Sequence, residues 1–156
     1  MNMNFDFNNP TNLIFGSGKL NELGGQIAAR RKAGMLGKKA LLLTLNGKST
    51  KANGSFDRVM DQLREAGVEV SVCSKIMETP LKDTVMEAAE FTRENGCEFI
   101  VALGGGAVLD SAVAVSAMAT NPGDLWDYVN GGTGKGQPLV GHGLPIATIA
   151  TSSGTG

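Results

Sequence analysis

The residues best suited to chemistry lie in one stretch, C-E-F-I-V-A-L-G-G-G-A-V-L-D-S-A-V-A-V-S-A-M-A-T-N, from Cys97 to Asn121. Phe99 to Leu103 is a continuous apolar run of strand length, Gly104 to Gly106 predicts a tight turn, and Ala107 to Ala119 reads as a helix apolar nearly all round. A turn without side chains lets another molecule approach the backbone. A helix N-terminus adds unpaired N–H groups and the positive end of a dipole, which together suit a phosphate. Two readings of the residues stand side by side: a dinucleotide pyrophosphate site, and a tight turn beneath a buried helix. G-G-G-A does not have the G-x-G-x-x-G spacing that would separate them.

Other chemistry is scarce. The one histidine, His142, sits in the loop-like string G-H-G-L-P and reads as a solvated loop residue, so the chain alone cannot build a multi-histidine metal site. Cys73 and Cys97 are far apart and not C-x-x-C, which predicts reduced core thiols rather than a disulfide or metal clasp. G-G-T-G-K-G at Gly131 to Gly136 invites comparison with a P-loop. Lys135 is followed by Gly136 rather than Ser or Thr, position 129 is Val129, and no apolar strand leads in, so a flexible surface loop is expected.

Lys plus Arg number 14 against 15 Asp plus Glu, so no charge excess points to nucleic acid or an anionic membrane. The start M-N-M-N-F-D-F resembles no secretory leader, and no apolar run approaches spanning length; a cytoplasmic protein is expected.

The elements that must position the glycine turn follow from periodicity. Asn12 to Phe15 is a strand candidate ended by Gly16-Ser17-Gly18. Ser17 is the expected cap of a helix from Lys19 to Lys32 with Leu20, Leu23, Ile27 and Ala28 on one face, weakened by Gly24 and Gly25. Ala40 to Leu45 reads as a strand covered on both faces, followed by the polar string N-G-K-S-T-K-A-N-G. Phe56, Val59, Met60 and Leu63 mark a helix with Ser55 as cap and Gly67 as stop. Val68 to Val72 is a strand. Thr79 and Pro80 are expected to open a helix that buries Leu81, Val85, Ala88 and Ala89 and ends at Gly96. After the glycine turn come a short helix in P-G-D-L-W-D-Y and a last strand, Ile146 to Ala150. Strands alternating with helices predict one α/β domain over residues 1–156, a doubly wound, mostly parallel Rossmann-like sheet with helices on both faces.

In such a sheet the ligand crevice lies beyond the C-terminal ends of the strands. Here those ends carry Asn46-Gly47-Lys48-Ser49, Glu78-Thr79, the glycine turn, and Thr151-Ser152-Ser153-Gly154-Thr155. These small and hydroxylated residues can serve phosphates and ribose, and no catalytic general base is among them.

At the level of whole motifs, the chain resembles the iron-containing, or group III metal-dependent, alcohol dehydrogenases. The resemblance rests on five strings in the family's order: N-P-T-N-L-I-F-G-S-G-K-L, L-L-L-T-L-N-G-K-S-T-K-A-N-G, G-G-G-A-V-L-D-S-A, N-P-G-D-L-W-D-Y and A-T-S-S-G-T-G. The butanol dehydrogenase or broad aldehyde reductase branch looks nearest. The resemblance implies an NAD(P)-dependent oxidoreductase that interconverts alcohols and aldehydes by hydride transfer. It places pyrophosphate at Gly105, Gly106 and Ala107, Asp110 near the nicotinamide, and cofactor contacts at Thr151, Ser152 and Thr155. Thr79 matches the family's P-N-P turn. The position after the second strand, with Asn46, Gly47 and Ser49, matches the ribose end of the cofactor. Leu45 and Asn46 stand where NAD-using members place an aspartate, and Lys48 is nearby; without the acid a 2′-phosphate is tolerated, which favours NADP over NAD.

Three positions depart from the family's pattern: Ala107 replaces a family serine, Val113 a family lysine, and Ala150 stands where the family often has proline. A longer parent is also implied, in which an all-helical second domain holds Fe²⁺ or Zn²⁺ through an aspartate and three histidines. That domain is absent from the 156 residues, which contribute no metal ligand. The expected partners are a nicotinamide dinucleotide, a small alcohol or aldehyde in the full enzyme, and a second copy of the chain, with no nucleic acid and no membrane. A stand-alone nucleotide-binding module and a non-catalytic structural α/β domain are the alternatives.

Overall fold

The computed structural model describes residues 4, 6, 8–45, 48–76 and 81–152. Four strands, β1 (Lys39–Leu45), β2 (Glu69–Ile76), β3 (Phe99–Gly104) and β4 (Ile146–Ala150), form one sheet in the order β2-β1-β3-β4. Every neighbouring pair is parallel. The helices among the described residues are α1 (Leu23–Lys32), α2 (Lys48–Ala52), α3 (Ser55–Glu65), α4 (Lys82–Glu94), α5 (Gly106–Thr120) and α6 (Leu125–Tyr128), with a 3-10 turn at Lys19–Glu22.

The chain steps outward from β1 to β2 through α3, then back across β1 to β3 through α4, and on to β4 through α5. Because the direction of travel reverses, crossovers of one hand place α3 on one face and α4 and α5 on the other. The core divides accordingly. Ile27, Ala40, Leu42, Val59, Leu63, Phe99, Val101 and Leu103 pack on the α1/α3 side. Leu41, Leu43, Val85, Ala88, Ile100, Ala102, Val108, Ala112 and Val115 pack on the other. Consecutive residues of β1 and β3 alternate between these two cores, which is why both strands are apolar without interruption. The α/β, parallel, doubly covered architecture expected from periodicity is the one observed.

Several local expectations are corrected. Asn12 to Phe15 forms no strand; Leu13 and Phe15 are 82% and 90% exposed, and strand geometry needs a paired neighbour that this segment does not find among the described residues. Ser17 is not the helix cap: Gly18, at φ +76°, precedes the 3-10 turn and α1 follows that turn. Ala28 is exposed. Gly24 belongs where it is, since a Cβ there would come 2.9 Å from the Gln62 carbonyl oxygen, and its N–H donates to Gln62 Oε1 at 3.0 Å.

Ser55 is the first residue of α3 rather than its cap, with Gly54 before it at φ +73°. The polar string after β1 contains α2, and β2 runs on to Ile76, so both were longer or more ordered than periodicity suggested. The fourth helix starts at Lys82 with extended Leu81 before it, and Leu81 is exposed because it lies outside the helix. Thr79 and Pro80 lie outside the described residues. The Gly131 to Gly136 run is bound to α6: Lys135 N–H donates to the Trp126 carbonyl, Gly136 N–H to that of Val129, and Trp126 Nε1 to Thr133 Oγ1 at 2.8 Å. No helix among the described residues is long and apolar enough to cross a membrane.

Candidate functional site

The helices that follow β1 and β3 pack on opposite faces of the sheet, which marks the C-terminal edge between these two strands as the place where a doubly wound sheet takes its ligand. β3 delivers Gly104 to that edge and α5 starts two residues later. Gly105 is the N-cap with φ −82° and ψ −172°, and no side chain caps the helix. With 15 residues and no acid in its first turn, α5 presents the N–H groups of Gly106 and Ala107 and a full dipole to the crevice.

The expected tight turn is there, one residue between strand and helix, and it is made without a positive φ at any of the three glycines, which do different work. A Cβ on Gly104 would lie 2.6 Å from Val108 Cγ2; this glycine lets the strand and the helix it feeds pack closely. A Cβ on Gly105 would lie 3.2 Å from Ser152 Oγ. At Gly106 a Cβ would meet nothing within 4 Å. Protein packing therefore requires Gly104 and does not require Gly106, whose bareness leaves space over the first turn of α5.

β4 completes the edge. Gly104 pairs with Ala150, and Thr151 N–H donates to the Gly104 carbonyl at 3.0 Å, which carries the ladder one residue further and sets Ser152 beside Gly105. Gly105, Gly106, Ala107, Thr151 and Ser152, chosen from two distant parts of the sequence, are thus brought together. Asp110 lies one turn into α5 and is exposed. Asn46, Gly47, Thr79 and Thr155 lie outside the described residues; Ser49 belongs to α2 by its backbone, and its side chain lies outside them.

Periodicity missed two buried polar groups, one at the tip of β1 and one on α2. Thr44 and Thr50 are 2% and 5% exposed, and their hydroxyls have no hydrogen-bond partner among the described residues. Between Leu43 and Leu45 the β1–β2 register shifts, so β2 carries one more residue than β1 at this point. The available signal was a lone threonine in an otherwise apolar strand, A-L-L-L-T-L.

Elsewhere the chemistry is thin. His142 is exposed, and the two cysteines are free and buried, with burial pushing the Cys97 thiol up against the opposing hydrogen bond from Ser71. A depression of about 310 Å³ lined by Arg93, Thr120, Asn121 and Pro122 lies at the other end of α5, where the helix presents carbonyl oxygens. No group of three or more His, Cys, Asp or Glu among the described residues could hold a metal ion.

Known proteins share this arrangement. The profile of a family described as iron-containing alcohol dehydrogenase matches residues 10–156. The chain is 36% identical over 153 residues to a probable NADH-dependent butanol dehydrogenase of Bacillus subtilis, covering 98% of this chain and 36% of that protein. It is 31% identical over 155 residues to an NADPH-dependent aldehyde reductase of Escherichia coli, again covering 98% of this chain and 36% of the relative. The crystal structure of an NADH-dependent butanol dehydrogenase from Thermotoga maritima superposes with a TM-score of 0.84 at 36% identity, covering 97% of this chain and 35% of that one. The chain therefore spans little more than a third of the length of these relatives. Within that span the fold, the motif order and the matched family profile agree: the chain belongs to the iron-containing alcohol dehydrogenase family.

Proposed function

We propose that this chain binds a nicotinamide dinucleotide and is the cofactor-holding part of an oxidoreductase that interconverts alcohols and aldehydes by hydride transfer. The observation that carries the reading is the uncapped N-terminus of α5, open above Gly106 and flanked by Thr151 and Ser152 at the C-terminal edge of the sheet. The amides of Gly105, Gly106 and Ala107 bind the pyrophosphate, and the Ser152 hydroxyl adds a donor beside them. Asp110 and Thr151 border the nicotinamide half. Asn46, Gly47, Ser49, Thr79 and Thr155 are assigned to the remaining cofactor contacts on the family resemblance.

The hydride chemistry belongs to the cofactor, and this chain's residues hold and orient it. The described residues do not fit a metal centre, so no step here passes through one. The NADH- and NADPH-dependent relatives both support a nicotinamide cofactor. NADP is preferred over NAD because Leu45 stands at the β1 tip where a ribose-binding acid would repel a 2′-phosphate.

Calorimetric titration of the chain with NADPH, NADH and ADP tests the assignment. Saturable binding of all three is expected, with the dinucleotides tighter than ADP. Absence of binding by all three would overturn it.

A further inference from the structure

Lys51 stands on α2, the helix that begins three residues after β1 ends at the C-terminal edge of the sheet. The seating of α2 is defined: Thr50 is buried, and the Ser55 hydroxyl at the start of α3 donates to the Thr50 carbonyl at 3.3 Å. With Thr50 turned inward, its neighbour Lys51 is exposed. Its ammonium is held 5.4 Å from the centre of the Phe56 ring, and Phe56 itself packs against the α1/α3 core. A ring face attracts a cation, so the charge is kept near one place instead of sweeping the solvent. No acidic residue lies in the first turn of α2 to neutralise it, and β1 ends in Leu45.

We propose that Lys51, braced by Phe56, selects a 2′-phosphorylated nicotinamide dinucleotide over its unphosphorylated counterpart. The inference rests on the cofactor reading above: with pyrophosphate at α5, a nucleoside half extends across the adjacent tip of β1, toward α2. A 2′-phosphate is a concentrated negative charge that a compact ammonium attracts strongly, whereas a ribose hydroxyl offers it little. The ring is the weaker partner and gives up the lysine to the phosphate.

The test is calorimetric titration of the wild type, Lys51→Met and Lys51→Arg with NADPH, NADH, 2′,5′-ADP and 5′-ADP. Lys51→Met is expected to weaken NADPH and 2′,5′-ADP about tenfold, the scale of one charge-assisted hydrogen bond, and to leave NADH and 5′-ADP unchanged. Lys51→Arg keeps the charge and should retain most of the preference, and added salt should narrow the gap in the wild type. Equal losses for phosphorylated and unphosphorylated ligands, or no loss at all, would overturn the role of Lys51 while leaving the cofactor reading intact. A wild type that binds none of the four would remove both.

Discussion

Three consecutive glycines separate cleanly when each is given an imaginary methyl group. At Gly104 the methyl collides with Val108, so Gly104→Ala is expected to cost about 1–3 kcal/mol through overpacking, read as a lower urea midpoint. At Gly106, the first residue of α5, the methyl meets open space, and alanine is a better helix former than glycine by about 1 kcal/mol. Gly106→Ala should therefore fold as well as the wild type or better, while Gly106→Val, filling the space above the amides, should weaken NADPH by roughly tenfold or more with its thermal midpoint preserved. Loss of fold in Gly106→Val, or unchanged affinity, would contradict the site. The glycine run announced itself in the sequence, but its division of labour did not, because that depends on what packs against each glycine: Val108 one turn on in α5, and Ser152 just beyond β4.

Among the elements, the start of β1 is tied to the start of β3 by one carboxylate. Glu98 accepts the backbone N–H groups of Lys38 at 2.6 Å and Lys39 at 3.1 Å, leaving no room for a side chain at Gly37. These donors, Lys39 first, hold its carboxyl below the ordinary 4.5. Since the native pKa is lowered, the unfolded chain binds this proton more readily. The stabilisation is present above the unfolded value and is lost as pH falls through the native one. Glu98→Gln should therefore differ from the wild type in chemical stability at neutral pH and converge with it as the pH falls below the ordinary carboxylate range and Glu98 takes up its proton; a gap that stays constant with pH would rule the carboxylate out as its source. α6 shows the same kind of local device: Asp124 caps Trp126 and Asp127 returns to the Asp124 N–H, a reciprocal pair that the structure adds to the short helix read from P-G-D-L-W-D-Y. The 3-10 entry into α1 and the existence of α2 were not legible, since short helices in polar strings are decided by what they pack against.

For the molecule as a whole, cofactor binding and turnover should separate. Neither a metal-holding cluster among the described residues nor a second histidine in the sequence is available to polarise a substrate oxygen. Charge stabilisation of that kind is worth several kcal/mol and is not replaced by orientation alone. The 156-residue chain assayed with NADPH, butanal and added Fe²⁺ or Zn²⁺ should show negligible turnover even where titration shows binding; robust NADPH oxidation would refute this. By itself the sequence determined the alternation of strand and helix, the parallel sheet and the strand that feeds the glycine run, because apolar periodicity and uninterrupted strand apolarity are local properties of the chain. Tertiary structure alone decided that β4 lies beside β3, so that Thr151 and Ser152 join glycines some 45 residues earlier, and that Lys51 faces out over Phe56 while Thr50 faces in. Strand order and the packing of a five-residue helix are set by long-range burial, which leaves no period in the sequence to read.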